Sequence, residues 1–151
     1  MKCRQVMASL VVLCILGWAG SALAHCEIPC GIYDDSMRVS MLKEHLVTIE
    51  KSMNKIEDLS GKTGAKDMNQ LVRWINNKEM HANKFQEIVS QYFMTQRIQP
   101  DTAHYAKKVE VLHKMLVYAM RCKQTTDQGH VKTLLELISE FEKLYFQHSH
   151  E

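Results

Sequence analysis

The sequence predicts an all-α fold, an antiparallel up-down four-helix bundle preceded by an irregular N-terminal hook. Gly and Pro are scarce, at six and two of 151 residues, and plentiful Met, Leu, Lys and Glu favour helix over sheet. Four stretches carry apolar residues at spacings of three and four, which is one face of a helix. The predicted connections are short, roughly 5–9 residues, so consecutive helices should be antiparallel neighbours.

The first two helices are predicted over about 36–59 and 67–99. Asp34 and Asp35 supply N-cap and first-turn carboxylates for the first helix, and Asp67 with Gln70 forms a possible capping box for the second. Their predicted inward faces are Leu42, Leu46, Ile49, Met53 and Ile56, then Leu71, Ile75, Ala82, Phe85, Val89 and either Tyr92 or Phe93.

The third helix is predicted to open at Pro100-Asp101, and the fourth to run from about His130 to Gln147 after a polar turn over 125–129. Their predicted inward faces are Tyr105, Val109, Leu112, Leu116 and Ala119, then Val131, Leu134, Leu135, Ile138, Phe141 and Tyr145. Such stripes indicate a packed core and carry no chemistry of their own.

Residues 1–24 have the pattern of a secretory signal peptide. Lys2 and Arg4 precede an apolar run over 6–20, and the segment ends Ala22-Leu23-Ala24. Cleavage after Ala24 by signal peptidase would export the domain 25–151 to the periplasm or the cell exterior, with no membrane span after processing. A lipoprotein signal ending at Cys26 is the alternative, but His25 stands where that signal needs a small residue.

The charge balance of the processed chain gives no indication of nucleic acid binding. Nineteen basic residues less Lys2 and Arg4 leave seventeen, which equals the seventeen acidic residues. Binding to nucleic acid needs a basic surface. Cys26, Cys30 and Cys122 remain after processing; Cys122 lies in a helical pattern and is predicted to be a small buried apolar residue.

The segment 25–33, His-Cys-Glu-Ile-Pro-Cys-Gly-Ile-Tyr, is the part of the sequence that predicts chemistry. Cleavage after Ala24 would give His25 a free α-amine beside its imidazole, the Cys26 amide nitrogen and the Cys26 thiolate, and Cys30 adds a second thiolate. Two nitrogens and two sulfurs can form a square plane, a geometry that favours Ni(II) or Cu(II) over zinc. Strong thiolate donors can also stabilise an oxidised metal, as a one-electron redox site requires.

Simpler interpretations of the two cysteines stay open at this point. In an oxidising compartment Cys26 and Cys30 could form a disulfide in a purely structural bundle. Zinc prefers four ligands in a tetrahedron, and only His25 and the two cysteines are at hand. An exported nickel or copper carrier could use the same donors without turnover. The other histidines are scattered over the helices and the C-terminal tail and give no comparable pattern.

The motif His-Cys-x-x-Pro-Cys-Gly-x-Tyr over 25–33 resembles the nickel hook of nickel-containing superoxide dismutases. The resemblance covers 25–151 and implies a four-helix bundle assembled as a homohexamer, whose mature chain begins at the His. It also implies one nickel ion per chain and the conversion of superoxide to oxygen and hydrogen peroxide by Ni(III)/Ni(II) cycling.

The resemblance further implies roles for individual residues. His25 would give its amine and an axial imidazole, Cys26 its amide nitrogen and thiolate, and Cys30 its thiolate. Tyr33 would line the approach of superoxide. Tyr92 resembles a second tyrosine near the family's site, with ordinary core packing as the alternative.

Two features depart from the family's pattern. Many members carry a leader that a dedicated protease removes, whereas this leader looks secretory; signal peptidase would create the same free amine. The family also supports the His imidazole with an acidic residue in the first helix and a basic one from another subunit. Here Ser40 or Met41 falls at the acidic position and Glu44 is off register, so these partners stay unassigned.

Overall fold

The computed structural model describes residues 34–146, and the predicted leader and the hook 25–33 lie outside this range. Helix α1 spans Asp35–Leu59 and α2 spans Ala65–Glu87, which continues without a break into a π-helical segment, Ile88–Arg97. Helices α3 and α4 span Tyr105–Gln124 and Gln128–Phe146. Each helix packs against the next, and α1 packs against α4, so the described residues form the predicted antiparallel four-helix bundle.

The start of α1 is capped as the sequence predicts. Asp34 has an extended backbone, and its Oδ1 accepts a 2.7 Å hydrogen bond from the Met37 amide, which satisfies one of the otherwise unpaired amides of the first turn. At the other end, Gly61 adopts a φ of +81°, a left-handed conformation that glycine adopts at little cost. Helix α2 begins at Ala65, after Gly64. Asp67 therefore lies in the first turn of the helix, and the prediction that it caps the helix is wrong.

Most of the predicted core is confirmed. Leu42, Leu46, Ile49 and Met53 of α1 are buried, and so is Cys122. Within residues 34–146 the buried apolar core consists of Val39, Leu42, Leu46, Ile49, Met53, Ala82, Phe85, Ile88, Val89, Tyr92, Phe93, Ile98, Val111, Leu112, Met115, Ala119, Cys122, Val131, Leu134, Leu137, Ile138 and Phe141.

The prediction of a core position is wrong for three residues. Ile75, Tyr105 and Leu135 are 38%, 38% and 51% exposed. Tyr105 is the first residue of α3, and Leu135 is one position from the buried Leu134, a rotation of about 100° around the helix. Leu137 is buried on the inward face of α4, where the sequence predicts Leu135. Ile75 lies on the outer face of α2.

The π-helical segment changes which side chains of the second helix face inward. Its end is marked by the Ile98 amide, which donates to the Phe93 carbonyl five residues back at 2.9 Å, the spacing of a π-helix. Within it Tyr92 and Phe93 are 1% and 0% exposed. The sequence predicts that either Tyr92 or Phe93 faces the core, whereas both are buried in the structure.

Lys78 is a buried cation that connects α2 to the end of α3. Its Nζ donates to the carbonyl oxygens of Lys123 at 2.6 Å and Thr125 at 3.1 Å, groups that the end of a helix leaves unpaired. Burial lowers the pKa of this ammonium. Among helices of the described range 34–146, none combines the length and apolarity that crossing a membrane requires.

Candidate active-site cluster at the start of α1

Tyr92 lies where the π-helical segment meets the first turn of α1. Its hydroxyl donates a 2.5 Å hydrogen bond to Oδ1 of Asp35, and Asp35 is two residues beyond Tyr33, the last residue of the hook. Tyr92 is the one predicted site residue that falls within the described range. Its ring belongs to the core, as the simpler interpretation held, but its hydroxyl takes part in a polar cluster.

Arg97 completes the contact between the π-helical segment and α1. Its Nη2 donates to the Tyr92 hydroxyl at 2.8 Å, and its Nε lies 3.0 Å from Asp35 Oδ1. Residues five apart on an α-helix point about 140° away from each other, whereas the wider π-helix pairs position i with i+5. The π-helical geometry therefore allows Tyr92 and Arg97 to reach the same carboxylate.

Tyr145 of α4 binds the second oxygen of the same carboxylate. Its hydroxyl donates to Asp35 Oδ2 at 2.7 Å. One aspartate thus connects α1, the π-helical segment and α4 through charge-assisted hydrogen bonds, which are the stronger kind. We call Asp35, Tyr92, Arg97 and Tyr145 the Asp35 cluster.

Both tyrosines of the cluster keep their protons at neutral pH. Burial, and then the hydrogen bond to Asp35, raise the pKa of Tyr92 and of Tyr145. A phenol has one proton to donate, and each of these protons is directed at Asp35. In this arrangement Tyr92 holds the start of α1 in place and is not a free proton donor.

Two guanidinium groups lie over the Tyr92 ring. Cζ of Arg38 and of Arg97 are 4.6 Å and 4.9 Å from its centroid, within the range of cation–π attraction. A cavity of about 320 Å³ beside Tyr92 is lined in part by Arg38, Met41 and Lys84. A second cavity of about 600 Å³ is lined in part by Asp34, Asp35, Arg97 and Lys108. Cationic side chains therefore line both cavities that adjoin the Asp35 cluster.

The sequence reasoning found only part of this cluster. It assigned Asp35 to the first turn of the helix, Tyr145 to the core and Tyr92 to the site, and it gave Arg97 no role. The five-residue spacing of Tyr92 and Arg97 was a signal only if the π-helical segment could be foreseen. At the position of the missing acid, Ser40 donates to the carbonyl of Ser36 at 3.0 Å within its own helix, and half-buried Met41 offers no strong hydrogen bond.

The predicted metal ligands His25, Cys26 and Cys30, and Tyr33 with them, lie outside the described residues. Across 34–146, no group of three or more His, Cys, Asp or Glu side chains could hold a metal ion. Cys122 is a free, buried thiol, and burial raises its pKa to about 11. It is therefore protonated at neutral pH and a poor ligand, since metals bind the thiolate.

The first helix of the bundle is held in place at Asp35, directly after a segment of the sequence that contains one His and two Cys residues. This combination is typical of a small metalloenzyme. The family model of nickel-containing superoxide dismutases matches residues 20–149, and the chain belongs to that family. Its cofactor is nickel, its substrate is superoxide, and its activity is superoxide dismutation. No curated protein and no solved structure matches the chain significantly.

Proposed function

We propose that the nickel of this superoxide dismutase is bound by the hook, one ion per chain, once residues 1–24 have been removed. The ligands are the α-amine and imidazole of His25, the amide nitrogen and thiolate of Cys26, and the thiolate of Cys30. The free amine exists only after cleavage following Ala24, so the leader controls the completion of the site.

The chemistry of the donor set supports this assignment. Two nitrogens and two thiolates suit a square-planar Ni(II) ion, and an added imidazole suits a higher oxidation state. When bound, nickel supplies the one-electron redox chemistry, while the protein supplies binding, orientation and electrostatics. Cys122 is excluded as a competing thiolate by its burial and raised pKa, which leaves Cys26 and Cys30 as the thiolates of the processed chain.

The Asp35 cluster supports a role for the bundle in positioning the hook. Tyr33 precedes Asp34 directly, and consecutive α-carbons are about 3.8 Å apart, so the C-terminal end of the hook is anchored wherever α1 begins. Asp35 fixes that beginning through Tyr92, Arg97 and Tyr145. We assign Tyr92 to this positioning role and Tyr33 to the approach of substrate.

The charged groups beside the cluster suit an anionic substrate. Superoxide carries one negative charge, and the cavity of about 320 Å³ is lined by Arg38 and Lys84 against one carboxylate, Glu87. In the cavity of about 600 Å³, Arg97 and Lys108 balance Asp34 and Asp35. A cleft with an excess of one sign of charge raises the local concentration of an oppositely charged substrate and its rate of association. These side chains would attract superoxide toward the start of α1, where the hook is attached.

Maturation, location and assembly belong to the same proposal. Signal peptidase removes 1–24, and the enzyme acts in the periplasm or outside the cell. Association between copies is supported by exposed apolar side chains around one groove between α1 and α4, where Val47 and Leu135 are 63% and 51% exposed; that the assembly is a homohexamer is what the family resemblance implies. Multi-angle light scattering of the purified enzyme tests the assembly: six copies are expected, and a monomer would rule the hexamer out.

Intact mass, N-terminal sequencing and elemental analysis of one native sample test the central assignment. The proposal requires a chain that starts at His25 and carries about one nickel. Cys26→Ser and Cys30→Ser should each lose nickel and activity, whereas Cys122→Ser, the matched control, should keep both. A native active enzyme with any other N-terminus, or with nickel retained after both hook substitutions, contradicts the proposed ligands.

A further inference from the structure

Two histidines from different helices meet on the surface between α1 and α2. Nδ1 of His45 lies 3.0 Å from Nδ1 of His81, and the ring planes are inclined at 69° with centroids 5.1 Å apart. Both side chains are half-buried. The two residues are 36 positions apart in sequence, which is why no local motif indicated the pair.

The separation of the two nitrogens suits a shared metal ion. An imidazole nitrogen binds zinc or a similar ion at about 2.0–2.1 Å. Two such nitrogens at 90–109° around one ion are then about 2.9–3.3 Å apart, a range that includes the observed distance. In the metal-free pair the two nitrogens face each other across a hydrogen bond, so both side chains must rotate for their lone pairs to converge on one ion.

The surroundings leave room for the rest of the coordination shell. His45 lines the cavity of about 320 Å³ that also contacts Tyr92, so water can complete the shell from that side. The charges that face the pair are of both signs. Glu44 favours a bound cation and Lys84 opposes it, while Glu87 and Arg38 stand further along the same cavity.

The protonation of the pair also suits a metal. Burial is the largest cause that lowers the pKa of both imidazoles, so both rings are neutral at pH 7. In the metal-free pair, one ring donates through Nδ1–H and the other accepts. When both protons lie on Nε2, both Nδ1 lone pairs are available, and this change of tautomer releases no net proton.

We propose that His45 and His81 form a second metal site, separate from the hook, that binds a divalent copper or zinc ion with water as the remaining ligands. Cu(II) binds most tightly among the divalent ions, as the general order of affinities requires for nitrogen donors. The ion joins α1 to α2 and stabilises the folded bundle, because it binds the native pair and not the separated histidines of the unfolded chain.

The test uses the nickel-loaded native enzyme, titrated with Cu(II) at pH 7.4. The copper count by equilibrium dialysis should exceed that of the double variant His45→Asn/His81→Asn by one ion per chain. In the imidazole nitrogen NMR spectrum, Cu(II) should broaden His45 and His81 before any other ring. His113→Asn, which changes an exposed histidine of α3, is the matched control and should leave the count unchanged.

Two further readouts keep the test independent of the folding of the variant. With Zn(II) at 100 times the measured Kd, Tm of the wild-type chain should rise by about 5–10 °C. At pH 5 the affinity for Cu(II) should fall at least tenfold as protons compete for the rings. Broadening confined to other histidines, or a wild-type copper count equal to that of a correctly folded double variant, would overturn the proposal.

Discussion

The Tyr92 hydroxyl donates its proton to Asp35 Oδ1 at 2.5 Å, and this bond joins the first turn of α1 to the π-helical segment. Asp35 also accepts from Tyr145 and pairs with Arg97. The position at which α1 begins, directly after the hook, is therefore fixed by residues that are 57 and 110 positions away along the chain.

Asp35→Asn should lower the free energy of unfolding by about 1–3 kcal/mol, because two phenols lose a charged acceptor and Arg97 loses its ion-pair partner. Tyr92→Phe should cost about 1–3 kcal/mol, since it removes the hydrogen bond to Asp35 and the one from Arg97 and leaves the ring in place. Urea unfolding measures both. Tyr105→Phe is the control, because that ring is 38% exposed, and it should change stability by less than about 0.5 kcal/mol. If Tyr92→Phe and Tyr105→Phe changed the free energy of unfolding equally, the Asp35 cluster would not stabilise the start of α1.

Lys78→Met should also destabilise the bundle. The carbonyl oxygens of Lys123 and Thr125 would lose their ammonium donor, and the loss of hydrogen bonds to a charged group costs about 1–3 kcal/mol. Lys66→Met, at an exposed position of the same helix, should have little effect. Thermal unfolding of the two variants makes the comparison, and a Lys78→Met chain as stable as the wild type would show that the cap contributes nothing.

The His45–His81 pair predicts a loss of stability in mild acid in the absence of added metal. The folded state lowers the pKa of both rings below the ordinary value of 6.5. The unfolded chain therefore binds more protons in that window, and the free energy of unfolding decreases as pH falls below 6.5. Above 6.5 the contribution is fully present. Denaturant unfolding between pH 5 and 7.5 should show a shallower slope for His45→Asn/His81→Asn than for His113→Asn, and parallel slopes would contradict this origin.

The three cysteines of the processed chain should differ in reactivity. In the metal-free, fully reduced enzyme at pH 7.5, iodoacetamide should modify Cys26 and Cys30 within minutes. Cys122 should resist until the chain unfolds, because it is buried with a pKa of about 11 and the thiolate is the reactive form. Peptide mass spectrometry against time identifies each site. Modification of Cys122 in the folded enzyme at the rate of the other two would show that it is accessible.

The sequence was sufficient for features that depend on local periodicity and capping. The α1 stripe from Leu42 to Met53, the Asp34 cap and the four-helix order follow from such signals. Leu135 was misplaced because neighbouring leucines at 134 and 135 both fit an apolar stripe, and only the packing of α4 decides which one faces inward. Periodicity specifies the buried face of a helix to within about one residue, and tertiary contacts determine which of two neighbouring residues is buried.

The Asp35 cluster and the His45–His81 pair both depend on contacts between residues that are distant in sequence. Tyr92 and Arg97 lie on one face because the segment between them is π-helical. The sequence of 88–97 contains no signal that predicts this change from α-helical spacing. The His45–His81 pair needs the register of α1 against α2, which helix patterns alone do not specify. Local sequence therefore predicts the hook, whose donors are neighbours, and does not predict the polar clusters that the fold brings together.

The most direct test of the account is the activity of the chain with one extra residue before His25. Wild-type mature chain and a chain beginning at Ala24 should be prepared side by side, exposed to equal nickel and assayed for superoxide dismutation. The extra residue moves the free amine away from the imidazole and Cys26, so nickel binding and activity should fall together by at least a hundredfold. Full nickel-dependent activity in the chain that begins at Ala24 would contradict the proposal that the His25 amine is a ligand.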